Sequence, residues 1–247
     1  MSEKRQPKEK GCGDLLAELE SQENKAQITI LQRFFKTAPG EYGAGDVFMG
    51  LKVPFIRSAA RKYRHLPLSA VSKLLKDKRH EVRLCGLLIL VDKYEYSRKE
   101  TEKEKIVDFY LRHTKYINNW DLVDLSVYKI LGDFLSGLDK KKARVFLEKL
   151  LQSKNMWERR MAMVATYAFL KKGRAEETLF AAKKLLADKN DLIHKAIGWM
   201  LREMGKRVDD SQLRDFLDQN IRKISRTTLR YAIEHFSEDE RKKYLLK

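Results

Sequence analysis

The chain has 247 residues, with 52 Lys+Arg against 35 Asp+Glu, a formal net charge of +17. A hydrophobic content of 43% excludes a disordered basic tail, and only 4 Pro and 12 Gly exclude a collagenous or loop-dominated chain. Two cysteines, Cys12 and Cys85, are too few for a disulfide framework, and the longest apolar run, residues 85–91, is far too short for a membrane span.

Residues 1–13 are polar and basic (Lys4, Arg5, Lys8, Lys10) and lack the apolar stretch of a secretion signal. They read as a disordered tail on a reduced, cytoplasmic protein, followed by a single domain over 14–247. Residues 14–38 have the apolar spacing of an amphipathic helix (Leu15, Leu16, Leu19, Ile28, Leu31, Phe34, Phe35) with a break near Ser21. Residues 39–54 form the one long loop, marked by Pro39, Gly40, Gly43, Gly45 and Gly50, and Arg57 begins the next helix behind Pro54. From Leu66 onward apolar residues recur at three- and four-residue spacing, with no period-two segment of strand length. Cys85 lies inside an apolar helix and reads as a packing residue.

The breaks between helices share one template. Residues 74–83, 150–159 and 185–194 each end a helix in a double leucine, cross a short polar turn, and open a second helix with a mixed charged and apolar first turn. A further copy runs from Tyr110-Leu111 through Lys115 to Asn118, Asn119 and Trp120, and a degenerate fifth from Ile221 to Phe236. Helix pairs at this spacing predict an all-α solenoid of HEAT-like repeats, each pair burying its apolar face only when its neighbour stacks on it. Such a stack curves, and the excess of cations makes a concave basic face the expected binding surface.

Counting nine residues from the second leucine of each template gives Trp120, Arg160 and Lys195; counting thirteen gives Asp124, Val164 and Trp199. These offsets are one helical turn apart on the same face, so Trp120, Asp124, Arg160 and Trp199 are expected to meet on the inner face, with Lys195 at its edge. Each alone has an ordinary explanation: a Trp at helical spacing is usually core, an Asp near a helix start serves the helix dipole, and Arg160 beside Arg159 is by default a surface cation. Their common register is what singles them out.

A carboxylate on a positive face suits a cationic group placed against it, and indole faces attract cations and polarised sugar C–H groups. Purines alkylated at N3 or N7 are such cations, and loss of the base passes through an oxocarbenium-like sugar that a fixed carboxylate stabilises. The same carboxylate can orient the attacking water. No Walker A, G-x-S-x-G or paired-cysteine motif is present, and the five histidines (His65, His80, His113, His194, His235) fall singly in different segments. Phosphoryl transfer, metal-dependent hydrolysis and thiol catalysis are therefore poorly supported. The net charge points to nucleic acid ahead of anionic membrane.

The stretches Asn118–Asp124, Trp157–Arg160 and His194–Glu203, with Phe48–Pro54 and Arg57, resemble the AlkD-type bacterial DNA alkylation repair glycosylases over roughly residues 15–240. The resemblance implies a HEAT-like fold that excises 3-methyladenine- and 7-methylguanine-type lesions from double-stranded DNA in base excision repair, without cofactor and with the lesion left stacked rather than flipped. A cytoplasmic enzyme at the bacterial nucleoid is expected, with no membrane partner, and a monomer because the groove must wrap a duplex. By the same resemblance Asp124 is the catalytic carboxylate and Trp120 and Trp199 pack against the lesion's deoxyribose. The family's arginine falls on Arg159 or Arg160, and the repeat register favours Arg160. An aromatic near the lesion is matched by Phe48 or Tyr42. Phosphate contacts are expected from Arg159, Lys195, Arg202, Arg226 and Arg230, giving steep salt dependence. The rival reading is a non-catalytic helical scaffold that binds DNA structures or proteins.

Overall fold

Helix-forming sequence with almost no proline gives a chain of helices, and the computed structural model, which describes residues 11–246, contains no strand among them. The chain divides into two compact units, one of residues up to Glu102 with Leu111–Leu122, the other of Lys103–Tyr110 with residues from Val123 onward. Residues 1–10 of the expected tail lie outside the described residues; Cys12 and Gly13 already belong to the first helix.

In the first unit the elements are α1 (Cys12–Glu20), α2 (Lys25–Phe34), α3 (Val53–Lys62), α4 (Leu68–Leu75) and α5 (His80–Tyr96). The break foreseen near Ser21 separates α1 from α2, and Asn24 caps α2 by accepting the Gln27 N–H. Helix α3 starts four residues before Arg57, because Pro54 occupies its first turn, where a missing N–H costs nothing. Helix α5 is buried continuously from His80 to Val91 and packs against α3 and α4, with Leu15 and Leu19 of α1 completing the core. Burial raises the Cys85 thiol to about 12, as befits a packing residue.

Helices α6 (Glu100–Arg112) and α7 (Trp120–Val127) each contribute to both units. A five-residue π turn, Tyr128–Gly132, continues α7 into α8 (Asp133–Gly137). Then follow α9 (Lys140–Leu151), α10 (Met156–Ala165), α11 (Tyr167–Leu170), α12 (Glu176–Leu185), α13 (Asp191–Arg207), α14 (Asp210–Asn220), α15 (Arg226–Ala232) and α16 (Glu238–Leu246). Helix α13 is the centre of this unit, packed by α10, α12, α14 and α15. At Gly198 a Cβ would strike the Thr228 carbonyl and Tyr231, so α13 and α15 approach as closely as they do only because that residue is glycine.

The sequence template has a physical counterpart. Asp77, Ser153 and Asp188 each accept, on the side chain, the N–H two residues on (2.8, 3.0 and 2.9 Å). Arg83, Arg159 and His194, which close the three copies, each hydrogen-bond the carbonyl six residues back. Asn155 and Asn190 cap α10 and α13 through the Trp157 and Leu192 N–H groups, both at 2.9 Å. No helix among the described residues is long and apolar enough to cross a membrane.

Candidate functional site

The boundary between the two units falls inside α7, after Leu122. Trp120 opens that helix and Asp124 follows it by one turn.

In the second unit Asp124 meets Arg160 of α10. Arg160 Nε donates to Oδ1 at 3.0 Å and Nη2 to Oδ2 at 2.7 Å, a bidentate pair. Nη1 donates to the Leu192 carbonyl in the first turn of α13. The arginine side chain is 6% exposed and the aspartate 16%, so the cation is enclosed while a fraction of the carboxylate still faces solvent. The arrangement suits a fixed anion whose orientation is set by a cation that itself has little freedom.

Of the two adjacent arginines, Arg160 therefore holds Asp124. Arg159 turns away and pairs with Asp188 at 2.6 Å, with Nη1 on the Ser153 and Lys154 carbonyls. Burial raises the Asp188 carboxyl, but its hydrogen bond to Arg159 and the Asn190 N–H outweigh that and leave it below the usual carboxylate range. Trp157, in the same stretch, is core.

Trp199 is half-buried on α13 and stacks on Tyr167, centroids 6.4 Å apart; Tyr128 meets the edge of Tyr167 at 5.2 Å, and Arg207 lies over Tyr167 at 5.0 Å. Tyr128 is one further turn along from Asp124. Neither tyrosine was singled out by the repeat register, because Tyr128 and Tyr167 lie beyond the two helix positions compared there and are not at matching places in their own copies.

Among the other cations picked out in the sequence, Lys195 pairs with Asp191 at 2.8 Å but keeps 39% of its side chain exposed. Arg202 is mostly covered and pairs with Glu234 and Glu203. Arg226 and Arg230 are exposed, the former donating to the Leu245 carbonyl at 2.7 Å.

In the first unit Trp120 lies among aromatics from the N-terminal segment. Its Nε1 donates to the Tyr42 hydroxyl at 3.2 Å, Phe35 stacks on it at 5.4 Å, and Phe34 meets its edge at 5.8 Å. Of the two aromatics left open by the sequence, Tyr42 is the one against Trp120; Phe48 is buried, stacked on Phe35 and His80. Phe34 is 61% exposed. Two consecutive phenylalanines at the end of an amphipathic helix cannot both face its core, and that was the signal available for it. The loop carrying Tyr42 is held by Glu81, whose buried carboxylate accepts the N–H groups of Met49, Gly50 and Leu51 at 2.8–3.2 Å. Gly50 has φ +79°, and any Cβ there would meet the Asn24 carbonyl.

Among the described residues no group of three or more His, Cys, Asp or Glu side chains is placed to hold a metal ion.

An all-helical chain with this family of paired helices belongs to a known class. The sequence model of the DNA alkylation repair enzyme family matches residues 15–236, and the chain belongs to that family. Among solved structures, it is similar to a predicted DNA alkylation repair enzyme from Enterococcus faecalis (TM-score 0.65, 16% identity, 88% of this chain and 98% of that one). It is also similar to smu.31 from Streptococcus mutans UA159 (0.52, 16%, 92% and 100%) and to AlkD2 from Streptococcus mutans (0.52, 15%, 92% and 100%). At such identities these likenesses show the fold alone. The comparison with curated proteins gave no match.

Proposed function

We propose that the protein is a DNA glycosylase that hydrolyses the N-glycosidic bond of cationic N3- and N7-alkylpurines in double-stranded DNA. The observation that carries this reading is the Asp124 carboxylate, held bidentate by the enclosed Arg160 and one helical turn from Trp120.

The chemistry needs little else. The bond from C1′ to N9 breaks with its electron pair going to the base, which leaves neutral, while positive charge develops on the sugar. Asp124 stabilises that charge; a water then adds to C1′ and gives up its proton to the carboxylate. Arg160, with three nitrogens engaged, keeps the carboxylate oriented without competing for the substrate. An indole face, that of Trp120 on one unit or of Trp199 on the other, suits the sugar C–H groups and the cationic lesion, which can stay stacked in the duplex. Exposed Arg226 and Arg230, with Lys195, supply phosphate contacts, in keeping with the +17 charge.

The test is to incubate the protein with duplex DNA carrying 7-methylguanine and 3-methyladenine and to measure free base together with abasic sites. Equal yields of both, well above the spontaneous rate, are expected. Tight binding of the duplex with no base released would instead make the protein a non-catalytic DNA reader.

A further inference from the structure

His80, the first residue of α5, is 2% exposed and stands between two carboxylates. Nδ1 lies 3.1 Å from Asp46 Oδ2 in the glycine-rich loop, and Nε2 lies 2.8 Å from Asp121 Oδ2 on α7. An ionised carboxylate only accepts, so both ring nitrogens must donate, and the ring is an imidazolium. Asp46 also accepts from Arg83 Nη2 at 2.6 Å and from Asn119 Nδ2 at 3.3 Å, while Asp121 Oδ1 accepts the Leu122 N–H at 2.8 Å. Two anions thus meet two cations in a buried set of zero net charge.

The faces of the ring are also occupied. Phe48 stacks on it at 4.6 Å and Phe35 lies at 4.9 Å, both within reach of a cation–π attraction. Phe35 in turn stacks on Trp120. The imidazolium therefore reaches Trp120 by two routes: through Asp121, its neighbour in the chain, and through the Phe35 ring.

We propose that His80 is a positioning residue, whose doubly hydrogen-bonded imidazolium fixes the Trp120 indole in the orientation that receives the substrate. The importance of that orientation for base release rests on the glycosylase reading; the hold on the indole does not. Burial by itself would lower the His80 pKa, but the hydrogen bond and charge of Asp121, and then Asp46, outweigh it, with Arg83 opposing, and raise it to about 9. The charged groups facing the ring are Asp46 from the loop, Asp121 from α7 and Arg83 from α5; Glu81 is committed to the loop backbone.

A purely structural clamp would change stability and leave the indole where it is. The experiment is a pH titration of the full chain followed by the indole N–H resonances in ¹⁵N-labelled protein, with Trp120 assigned by its loss in Trp120→Phe. In the wild type the Trp120 resonance should hold still at neutral pH and move with an apparent pKa near 9, while Trp157 and Trp199 do not. In His80→Gln it should be displaced already at pH 7 and should not titrate, and imidazole added to His80→Gly should move it back. Base release by His80→Gln should fall in kcat by roughly tenfold to a hundredfold with little change in KM. A Trp120 resonance that ignores pH in the wild type overturns the proposal, and so does one unmoved by His80→Gln. If the resonances behave as stated but the wild type releases no base, the glycosylase reading fails and the hold on Trp120 stands.

Discussion

The Arg160 guanidinium has two nitrogens on Asp124 and one on the Leu192 carbonyl, so its removal takes two donors from a partly buried anion and one from a carbonyl. Arg160→Gln is expected to destabilise the protein by about 3 kcal/mol, read from denaturant unfolding, and to lower base release further than loss of folded protein accounts for. Asp124 and Arg160 were both legible in the sequence, because the repeat puts them one turn apart on the same face of their respective copies. Of the cluster around Trp120 only Tyr42 was, as one of two candidates: Phe34, Phe35 and His80 come from segments 40 to 86 residues away, and no local periodicity carries such pairings. His80 also makes a prediction of its own. Its pKa rises from 6.5 in a free chain to about 9 when folded, so its contribution to stability is fully present below about pH 6.5 and is lost as pH rises through about 9. The stability gap between wild type and His80→Gln should therefore be widest near pH 6 and shrink towards pH 10, measured by urea midpoints.

The helices themselves followed from the sequence because double leucines, polar turns and Asn caps mark their ends. Their packing distance did not. Gly198 reads as a helix-weakening residue in isolation, yet it lets α13 lie against the Thr228 carbonyl and carries Trp199 at the next position. Gly198→Ala is expected to cost about 2 kcal/mol and to shift the Trp199 indole resonance, whereas Asn190→Ala, which removes only a cap, should cost about 1 kcal/mol and leave Trp199 in place. The long glycine-rich segment was legible as a loop, but its anchoring was not. A carboxylate on α5, some thirty residues on, satisfies three of its N–H groups, and nothing near the glycines announces it.

At the scale of the whole molecule the uniform helical periodicity conceals where the chain divides, since the boundary runs within α6 and α7 rather than through a linker. Charge is the property most plainly written in the sequence, and +17 makes DNA affinity a matter of counterion release. Replacing exposed Arg230 with Ala should reduce the slope of log Kd against log salt by about one, equally for methylated and unmethylated duplex. The central claim is that Asp124 stabilises charge as the glycosidic bond breaks. Single-turnover release of 7-methylguanine from duplex DNA, compared between the wild type and Asp124→Asn at equal DNA occupancy, tests it most directly. A loss of at least about a hundredfold with DNA binding retained is predicted; equal rates for the two proteins would contradict the account.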